Sequence, residues 1–569
     1  MSRESSPPPG SLSRRGLLSA AAAVGGAAVA GPLLSACGTG KSAGTGSTSQ
    51  TQLTQAVPAY LANTAVKPDV PSVQGSNGAM SDPLFLKYPD SPVTTVSGTP
   101  GAGGSYTAIT PLWAAIPASS GNTYYDTVNK ALGTTITMQP SDGNNYNTVL
   151  PPLFAGNKVP DLLMIPGWLN LTLNLGEAVG RFFTDLTPYL AGDKVKAYPN
   201  LANIPTSAWA AGVWNGKLYG LPCYPSAATF EGATFYRKDI FDRHGINADS
   251  IKTVDDLFNL GKELTDAKAG VWAFDALMGG DGAYFDQVFH YPYRWADVNG
   301  KLIFKYEAEE MVEALNWHAK LVKAGYMHPD AVANRSQNAD QRFWSGKVLM
   351  QSGGTGAWNG SDTKSGTAAN ADYRRQAFKL LTSDANKPPS IPLQPGAGLF
   401  SYLNKRLSDK QVHELLATLN YIAAPYGSKE WLVVNYGAEG ADYTMQAGNP
   451  VLTEKGNKEV ATTYQFLVSP PAVTTVQQGY VDVAQSYAAW QADTVKYAYK
   501  PMFFAMNITE PSQYASIGKP VTDTIDDVKL GRKPVSAFQD AVKAWRSAGG
   551  DQLRSFYEGI RSKYGDGTK

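Results

Sequence analysis

Cysteine is nearly absent from this chain of 569 residues, which contains only Cys37 and Cys223. A disulfide framework needs several paired cysteines, so the hydrophobic core has to supply the stability of the fold. Net charge is also nearly absent, with a formal value of +1. Binding to a nucleic-acid backbone requires a basic face, and we therefore do not expect nucleic acid as a partner.

Catalytic signatures are lacking as well. The five histidines show no metal-site spacing, and no His-Glu-x-x-His helix, P-loop or Gly-x-Ser-x-Gly elbow occurs. Cys223 is a lone thiol with no base assigned to it, so a buried and inert position is expected. We expect neither an enzyme nor a cofactor or metal. A glycoside hydrolase stays open as an alternative, because its two carboxylates could come from the many acids of the chain.

The first 36 residues have the order of a bacterial export signal. Arg14 and Arg15 precede a run without charge from 16 to 36, and the residues before Cys37 resemble a lipobox. The run is too weakly apolar for a permanent membrane span and is typical of a cleaved signal. Paired arginines indicate the twin-arginine route. The sequence therefore predicts a lipid-anchored Cys37 at the extracellular face of the cell membrane.

Residues 37–104 are rich in Ser, Thr, Gly and Pro. Such a composition is typical of a flexible tether. Residues 57–104 also contain a few aromatic side chains and could lie partly against the body. We predict a tether over the whole of 37–104.

Ordered structure is predicted from residue 105 onward. Strand patterns at 105–110, 134–139 and 161–165 alternate with helix patterns at 122–132 and 142–154, the second of which its prolines should break. This β-α-β-α-β order favours a parallel sheet flanked by helices. A ligand of such a sheet lies beyond the carboxyl ends of the strands.

Two further local signals are specific. Asn215-Gly216 between apolar residues predicts a β-hairpin. Thr253 with Asp256 three residues later predicts a capped helix start.

Four groups of residues resemble a known family. They are 215–222 (NGKLYGLP), 234–246 with 253–265 (TFYRKDIFDRHGI and TVDDLFNLGKELT), 344–354 (WSGKVLMQSGG), and 426–445 with 538–565. Together they resemble the extracellular solute-binding lipoproteins of bacterial ABC importers, in the maltose-binding-protein-like family 1 and its long oligosaccharide-binding branch. The resemblance covers roughly residues 104–565.

The resemblance implies an α/β, two-lobed periplasmic-binding-protein-like fold of type II, in which each lobe is a mixed sheet flanked by helices and a hinge joins the lobes. The boundaries expected from it are 1–36 for the signal peptide, 37–104 for the tether, 105–222 and 386–425 for the first lobe, and 223–385 and 426–569 for the second lobe with the C-terminal helices.

The resemblance also implies a function. A membrane-anchored monomer would capture a carbohydrate, such as an oligosaccharide, by lobe closure and deliver it to the permease of an ABC transporter. A secreted glycoside-active enzyme and a surface carbohydrate-binding lipoprotein without a transporter stay open as alternatives. Some members of the branch bind calcium after the helix that corresponds to 253–265. Here Asp266 is the only acid in 266–272, too few oxygen ligands for calcium.

Sugar rings stack on aromatic side chains, and their hydroxyls need polar partners. The candidates are therefore aromatic and polar residues near the predicted strand ends and loops of both lobes. For each of them, core packing or a structural cap is the alternative. The predicted ligand contacts are Trp113, Asn144, Asn145, Trp168, Tyr224, Glu231, Arg237, Trp272, Asp281, Tyr284, Trp358 and Glu439.

Overall fold

A computed structural model describes residues 48–568 except 171, 231, 278–283, 336 and 478. The predicted signal peptide and Cys37 lie outside the described residues. Glu231 and Asp281 also lie outside them, so their predicted ligand contacts stay predictions.

The strands of the described chain are numbered in chain order. They are β1 (Leu84–Phe85), β2 (Ser105–Leu112), β3 (Thr135–Asp142), β4 (Leu162–Pro166), β5 (Val213–Trp214), β6 (Lys217–Leu218), β7 (Gly220–Cys223), β8 (Ala233–Arg237), β9 (Trp272–Phe274), β10 (Trp295–Val298), β11 (Lys301–Phe304), β12 (Val348–Gly353), β13 (Arg375–Ala377), β14 (Ile391–Pro392), β15 (Leu399–Leu403), β16 (Tyr443–Gln446), β17 (Asn449–Leu452), β18 (Thr474–Thr475) and β19 (Ala498–Tyr499).

The α-helices are numbered in the same way. They are α1 (Gln50–Ala56), α2 (Thr123–Leu132), α3 (Tyr146–Ala155), α4 (Leu175–Phe182), α5 (Thr187–Leu190), α6 (Pro199–Ala202), α7 (Thr206–Ala210), α8 (Lys238–His244), α9 (Val254–Leu264), α10 (Glu309–Ala324), α11 (Pro329–Val332), α12 (Ala339–Trp344), α13 (Thr363–Ala369), α14 (Asp409–Ile422), α15 (Lys429–Tyr436), α16 (Gly456–Glu459), α17 (Val481–Thr494), α18 (Lys519–Lys529), α19 (Val535–Trp545) and α20 (Asp551–Tyr564).

The first lobe is built on a five-stranded sheet with the order β3-β2-β4-β15-β7. Strand β2 pairs in parallel with β3 and β4, while β15 is antiparallel to both β4 and β7. Strands β2, β3, β4 and β7 therefore all point the same way. The predicted β-α-β-α-β order is confirmed, because the five patterns became β2, α2, β3, α3 and β4.

Local signals in this lobe have the expected geometry, with one exception. The hairpin at Asn215-Gly216 forms between β5 and β6, and both turn residues have positive φ angles of 52° and 75°. Helix α3, however, runs through Pro151 and Pro152. The prediction that these prolines break the helix was wrong.

The second lobe is built on a four-stranded sheet with the order β13-β8-β12-β9. Strand β12 is parallel to β9 and antiparallel to β8. Helix α9 begins at the predicted cap, where the Thr253 side chain accepts from the backbone N–H of Asp256 and the Asp256 side chain accepts from that of Thr253.

The two lobes have separate cores. Buried side chains of the five-stranded sheet, such as Leu163 and Phe400, pack with α2, α14 and α15. Buried side chains of the four-stranded sheet, such as Phe274 and Met350, pack with α9, α10 and the C-terminal helices. A parallel or mixed sheet is stable only when both faces are covered, and each lobe meets this requirement by itself. The two-lobed α/β fold is confirmed.

Three segments cross between the lobes side by side. They are 224–232, 393–398 and 469–480. The backbone N–H of Ser226 donates to the Gly396 carbonyl at 2.8 Å, and that of Ala472 donates to the Pro225 carbonyl at 2.8 Å. These hydrogen bonds join the crossing segments into one hinge.

Residues 48–104 pack on the body, in contrast to the flexible tether predicted for 37–104. Strand β1 pairs with β18 next to the hinge. The Ser76 hydroxyl donates to the Lys496 carbonyl at 2.7 Å, and the backbone N–H groups of Thr95 and Val96 both donate to Glu430 at 2.8 Å. These hydrogen bonds hold residues 48–104, which we call the N-terminal strap, against the body. Composition alone does not reveal such contacts.

The expected boundary at 426 also needs correction. Val434 on α15 and Tyr464, Leu467 and Val468 belong to the core of the first lobe. The chain leaves that lobe only after residue 468. Residues 426–468 therefore belong to the first lobe, and the second lobe resumes with α17.

Within the described residues, no helix has the length and apolar character needed to cross a bilayer.

Candidate ligand-binding site

Four of the predicted contacts come together at one edge of the first-lobe sheet. Trp113 follows β2, Asn144 and Asn145 follow β3, and Trp168 follows β4. Because these strands are parallel, their carboxyl ends lie at the same edge, as the strand register requires. Tyr224 joins them, since it follows β7 and β7 points the same way as β4.

The rings at this edge form an aromatic row. The ring centroids of Trp113 and Trp168 are 6.1 Å apart, and Phe466 contacts both Trp113 and Tyr224 at 5.5 Å. Trp168 is 65% exposed, Trp113 43% and Tyr224 42%, whereas Phe466 is buried. The buried Phe466 supports rings whose other surfaces stay in water. Exposed large aromatic groups of this kind mark binding surfaces.

Phe466 was missed by the sequence analysis. It lies in a one-turn helix (Tyr464–Phe466) more than 240 residues after Tyr224. No local pattern distinguishes it from other core phenylalanines, so only the tertiary fold could identify its contact with the row.

The backbone after β3 is shaped around Trp113. A Cβ atom added to Gly143 would lie 2.5 Å from the Trp113 indole nitrogen, so only glycine allows this approach. Asp142 accepts from the backbone N–H of Asn144 at 3.0 Å and from Nδ2 of Asn145 at 2.7 Å. The Asn145 amide is thereby oriented by Asp142, through the hydrogen bond of its Nδ2.

Tyr224 is held in an uncommon backbone conformation. Its φ angle is +50°, in the left-handed region that a non-glycine residue occupies at a cost of about 1 kcal/mol or more. Its backbone N–H donates to the Ser469 hydroxyl at 3.0 Å, which ties the first crossing segment to the third. Although the side chain is partly exposed, desolvation raises the pKa of the Tyr224 hydroxyl above its usual value, and a hydrogen bond with Thr462 opposes this rise. The hydroxyl therefore stays protonated and can donate to a ligand.

The second lobe contributes a polar cavity of about 440 Å³. The cavity lies where β9 and β12 end and is bounded by α12 and α13. Asp275, Gln351, Ser352 and Trp344 line it together with glycines after β12. The first crossing segment reaches this sheet at the same end, because a Cβ added to Gly232 would lie 2.6 Å from the Gly353 carbonyl oxygen. The cavity and the aromatic row therefore both border the hinge.

A buried ion pair forms one wall of the cavity. Nη1 of Arg375 lies 2.9 Å from Oδ1 of Asp362, and both side chains are 5% exposed. Asp362 also accepts from Nε1 of Trp344 at 3.0 Å and from the Tyr373 hydroxyl at 2.7 Å. The Arg375 guanidinium lies 3.7 Å over the Phe235 ring. Nε of Arg375 is also buried, and it has no hydrogen-bond partner in the described part of the chain.

Trp344 and Gln351 were not among the predicted contacts. Both lie in the stretch that carries the family resemblance, residues 344–354. Trp344 is half-buried and its indole N–H is fixed by Asp362, so one face of the ring can meet a ligand. The position of Gln351 near the end of a predicted strand could have indicated it as a ligand contact.

Two predicted contacts lie in the core instead of at the cavity. Arg237 is fully buried, donates to the backbone carbonyls of Phe343 and Trp344, and pairs with Asp239. Trp358 is also fully buried, and its indole N–H donates to the Arg375 carbonyl at 3.2 Å. A buried Trp needs such a partner for its N–H, and here the protein provides it.

Two further predicted contacts, Trp272 and Glu439, are not brought to the aromatic row. Trp272 begins β9, at the opposite end of that strand from the cavity, and packs against His328 at 4.6 Å. Glu439 is exposed in the turn after α15, where Asp442 accepts from the backbone N–H of Ala438 at 2.8 Å. Tyr284 begins a short helical segment, Tyr284–Phe289, and its ligand contact stays a prediction.

Cys223 is a free, buried thiol 3.3 Å from the Phe466 carbonyl, and burial raises its pKa. Among the described residues, no group of three or more His, Cys, Asp or Glu side chains is placed to hold a metal. Asp266 accepts from the backbone N–H groups of Lys268 and Ala269 at 3.1 Å.

Comparison with known proteins gives a family match over part of the chain. The family model described as bacterial extracellular solute-binding protein matches residues 114–379, a range that includes the first crossing segment and the cavity. Over this range the chain is similar to the bacterial extracellular solute-binding proteins.

Two curated relatives of this chain come from Bacillus subtilis. Lipoprotein LipO is 22% identical over 430 residues, which cover 72% of this chain and 83% of the relative. The polygalacturonan/rhamnogalacturonan-binding protein YtcQ is 22% identical over 424 residues, which cover 71% of this chain and 81% of the relative.

A solved structure has the same fold. The HMO-binding, ABC-transporter-associated solute-binding protein from Bifidobacterium longum infantis superposes with a TM-score of 0.60. The match covers 82% of this chain and 100% of that chain at 13% identity. At this identity the likeness concerns the fold.

Proposed function

We propose that this chain is a solute-binding protein that captures an oligosaccharide between its lobes and delivers it to an ABC transporter permease. The observation that carries the proposal is the exposed aromatic row at the strand ends of the first lobe, across the hinge from a polar cavity. Rings stack on the apolar faces of sugars, and polar side chains in a cavity bind the hydroxyls.

The relatives favour a carbohydrate ligand. YtcQ is named for polygalacturonan and rhamnogalacturonan, and the Bifidobacterium longum infantis protein is named for HMO binding. An oligosaccharide rather than a single sugar suits the row, because Trp168, Trp113 and Tyr224 form three successive exposed surfaces.

Capture occurs by closure of the lobes. The crossing segments at 224–232, 393–398 and 469–480 form the hinge, and rotation about them brings the cavity toward the row. Tyr224 lies where the first of these segments begins, so its ring moves little relative to the first lobe. We infer that the ligand first stacks on the first lobe and that the second lobe closes over it.

The protein works at the extracellular face of the cell membrane. We propose that the twin-arginine signal directs export, that Cys37 becomes the lipidated first residue, and that the mature protein is a monomer. Two or three acyl chains, at ~0.8 kcal/mol per buried CH₂, give firm anchoring. Permease subunits are the partners that receive the ligand.

Calorimetric titration of the purified chain with a panel of oligosaccharides tests the binding function. We expect stoichiometric binding with the sugar recovered unchanged. Release of shorter products would favour the glycoside-active enzyme instead.

X-ray scattering with and without the bound sugar tests closure. A decrease in the radius of gyration is expected for a hinged importer component. Tight binding with an unchanged radius would favour the surface carbohydrate-binding lipoprotein.

Membrane fractionation tests the anchor. We expect the intact chain in the membrane fraction and a Cys37→Ala variant outside it. Equal amounts of both in the membrane would contradict lipidation at Cys37.

A further inference from the structure

We propose that the cleft selects an uncharged oligosaccharide and rejects acidic ones such as uronate chains, so that its ligand differs in charge from the polygalacturonan for which YtcQ is named. The inference rests on the proposed function and adds the charge class of the ligand. It comes from the loops at the cleft side of both sheets, where the strand ends and the crossing segments lie.

These loops contain no lysine or arginine. The described ranges are 113–121, 142–147, 166–170, 172–174, 224–230, 275–277, 353–363, 393–398 and 469–477. Together they contain the acids Asp142, Asp275 and Asp362. Carboxylate ligands are bound by Arg and Lys side chains, ideally through bidentate Arg pairs, and the loops supply neither.

The two arginines near the cavity are already committed. Arg375 pairs with Asp362 at 2.9 Å and donates to the Gly354 carbonyl at 3.3 Å. Arg342 is 7% exposed and pairs with Asp275 at 2.8 Å. Nε of Arg375 has no partner in the described chain but is buried from solvent. A ligand carboxylate could take Nη1 of Arg375 or Nε of Arg342 only by leaving a buried aspartate without its partner, which is strongly unfavourable.

The cavity rim is acidic. Asp340 is an exposed carboxylate at the start of α12 and lines the cavity. Arg342, two residues later, is directed to Asp275 and Asp330. Each uronate residue would therefore bring a negative charge toward the Asp340 carboxylate, which lines the cavity and forms no ion pair with a described residue. Charges interact over ~8 Å at physiological ionic strength.

Calorimetry with two matched probes tests the selection. The probes are a neutral galactotetraose and tetragalacturonate, used with a wider panel of neutral tetrasaccharides at physiological salt. We expect at least one neutral probe to bind, and tetragalacturonate to bind at least about 100-fold more weakly than that probe.

Tetragalacturonate binding as tight as the best neutral probe would overturn the inference and leave the proposed function standing. Failure of the whole panel, neutral and acidic, would overturn the proposed function and the inference with it. The two failures are therefore distinguishable.

A charge reversal at the rim provides a second test. Asp340→Lys should increase the affinity for tetragalacturonate about 10-fold, and this gain should decline at high salt. Glu313→Lys is the matched control, because Glu313 is exposed on α10 outside the cavity lining and the substitution changes the net charge equally. An equal gain in both variants, or no gain with Asp340→Lys, would contradict a local charge barrier.

Discussion

The two sides of the cleft contain similar residues, but they are exposed on one side and buried on the other. The first-lobe edge exposes rings, with Trp168 65% accessible to solvent. The second-lobe side buries Trp358 completely and holds Asp362 and Arg375 in an ion pair. Both tryptophans follow a strand and a glycine in the sequence, yet one is in water and the other in the core.

This difference separates binding from stability. An exposed ring makes few contacts that the fold needs, so its surface is available to a ligand. A buried ring and a buried ion pair are supported by many contacts, and their loss leaves a cavity or an unpaired charge. We therefore expect the first-lobe edge to determine affinity and the second-lobe side to hold the shape of the polar cavity.

The largest effect is expected for Trp358→Ala. Removing a fully buried tryptophan should lower the free energy of unfolding by about 3–5 kcal/mol. Urea denaturation followed by circular dichroism measures it. A stability equal to that of the unchanged protein would break the comparison, because Trp358 would then not support the second lobe.

Acidification should affect the second lobe through His318. This residue is buried on α10, and desolvation, with a smaller contribution from Lys529, lowers its pKa from 6.5 to about 3. Between these values the unfolded chain binds a proton that the folded chain does not, so stability falls as pH falls. The expected loss is roughly 3 kcal/mol between pH 6.5 and pH 4.

Denaturation midpoints across this pH range test the role of His318. His318→Gln should remove most of the decrease in the free energy of unfolding that is expected between pH 6.5 and pH 4. The control is Leu321→Ala, in the same buried face of α10. This substitution should lower stability and leave the pH dependence in place. An unchanged pH slope in His318→Gln would contradict the assignment.

Trp168→Ala should weaken binding without unfolding the protein. The expected loss of affinity is about 1–3 kcal/mol, from lost stacking and burial of the sugar. Calorimetry measures the affinity, and the denaturation midpoint should change little because the ring is largely exposed. Trp168→Phe, which retains a stacking face, is expected to lose less. Full affinity in Trp168→Ala would remove this ring from the site.

The smallest effect is expected for Asn145→Ala. The Asn145 amide is oriented by Asp142, and a single neutral hydrogen bond to a ligand contributes about 1 kcal/mol. Calorimetry should therefore detect a roughly 5-fold loss of affinity. A larger loss than with Trp168→Ala would reverse the ranking and make polar contacts the main determinant at this edge.

Local patterns predicted much of the fold but only part of the site. Strand and helix periodicity identified β2, α2, β3 and β4, and the hairpin and cap signals were correct. The position of Trp113 and Trp168 after parallel strands was enough to place both at the cleft edge. The same reasoning did not place Trp358, because whether a ring after a strand faces water depends on what packs over it.

The N-terminal strap illustrates a second limit. Its composition predicts a flexible segment, yet the backbone N–H groups of Ala102 and Gly104 donate to Glu414 at 2.9 and 2.8 Å. That carboxylate lies more than 300 residues later in the chain. Hydrogen bonds to so distant a partner leave no trace in local composition.

The sequence by itself determined the strand ends at which a ligand is expected and the scarcity of positive charge around them, which depend on the residue order along single strands and loops. The two-lobed α/β class followed from the family resemblance that its motifs carry. Only the tertiary structure decided which rings are exposed, that Phe466 supports the row, that Arg375 is committed to Asp362, and that the strap lies on the body. Each of these depends on contacts between residues far apart in the chain, and burial and pairing are properties of such contacts.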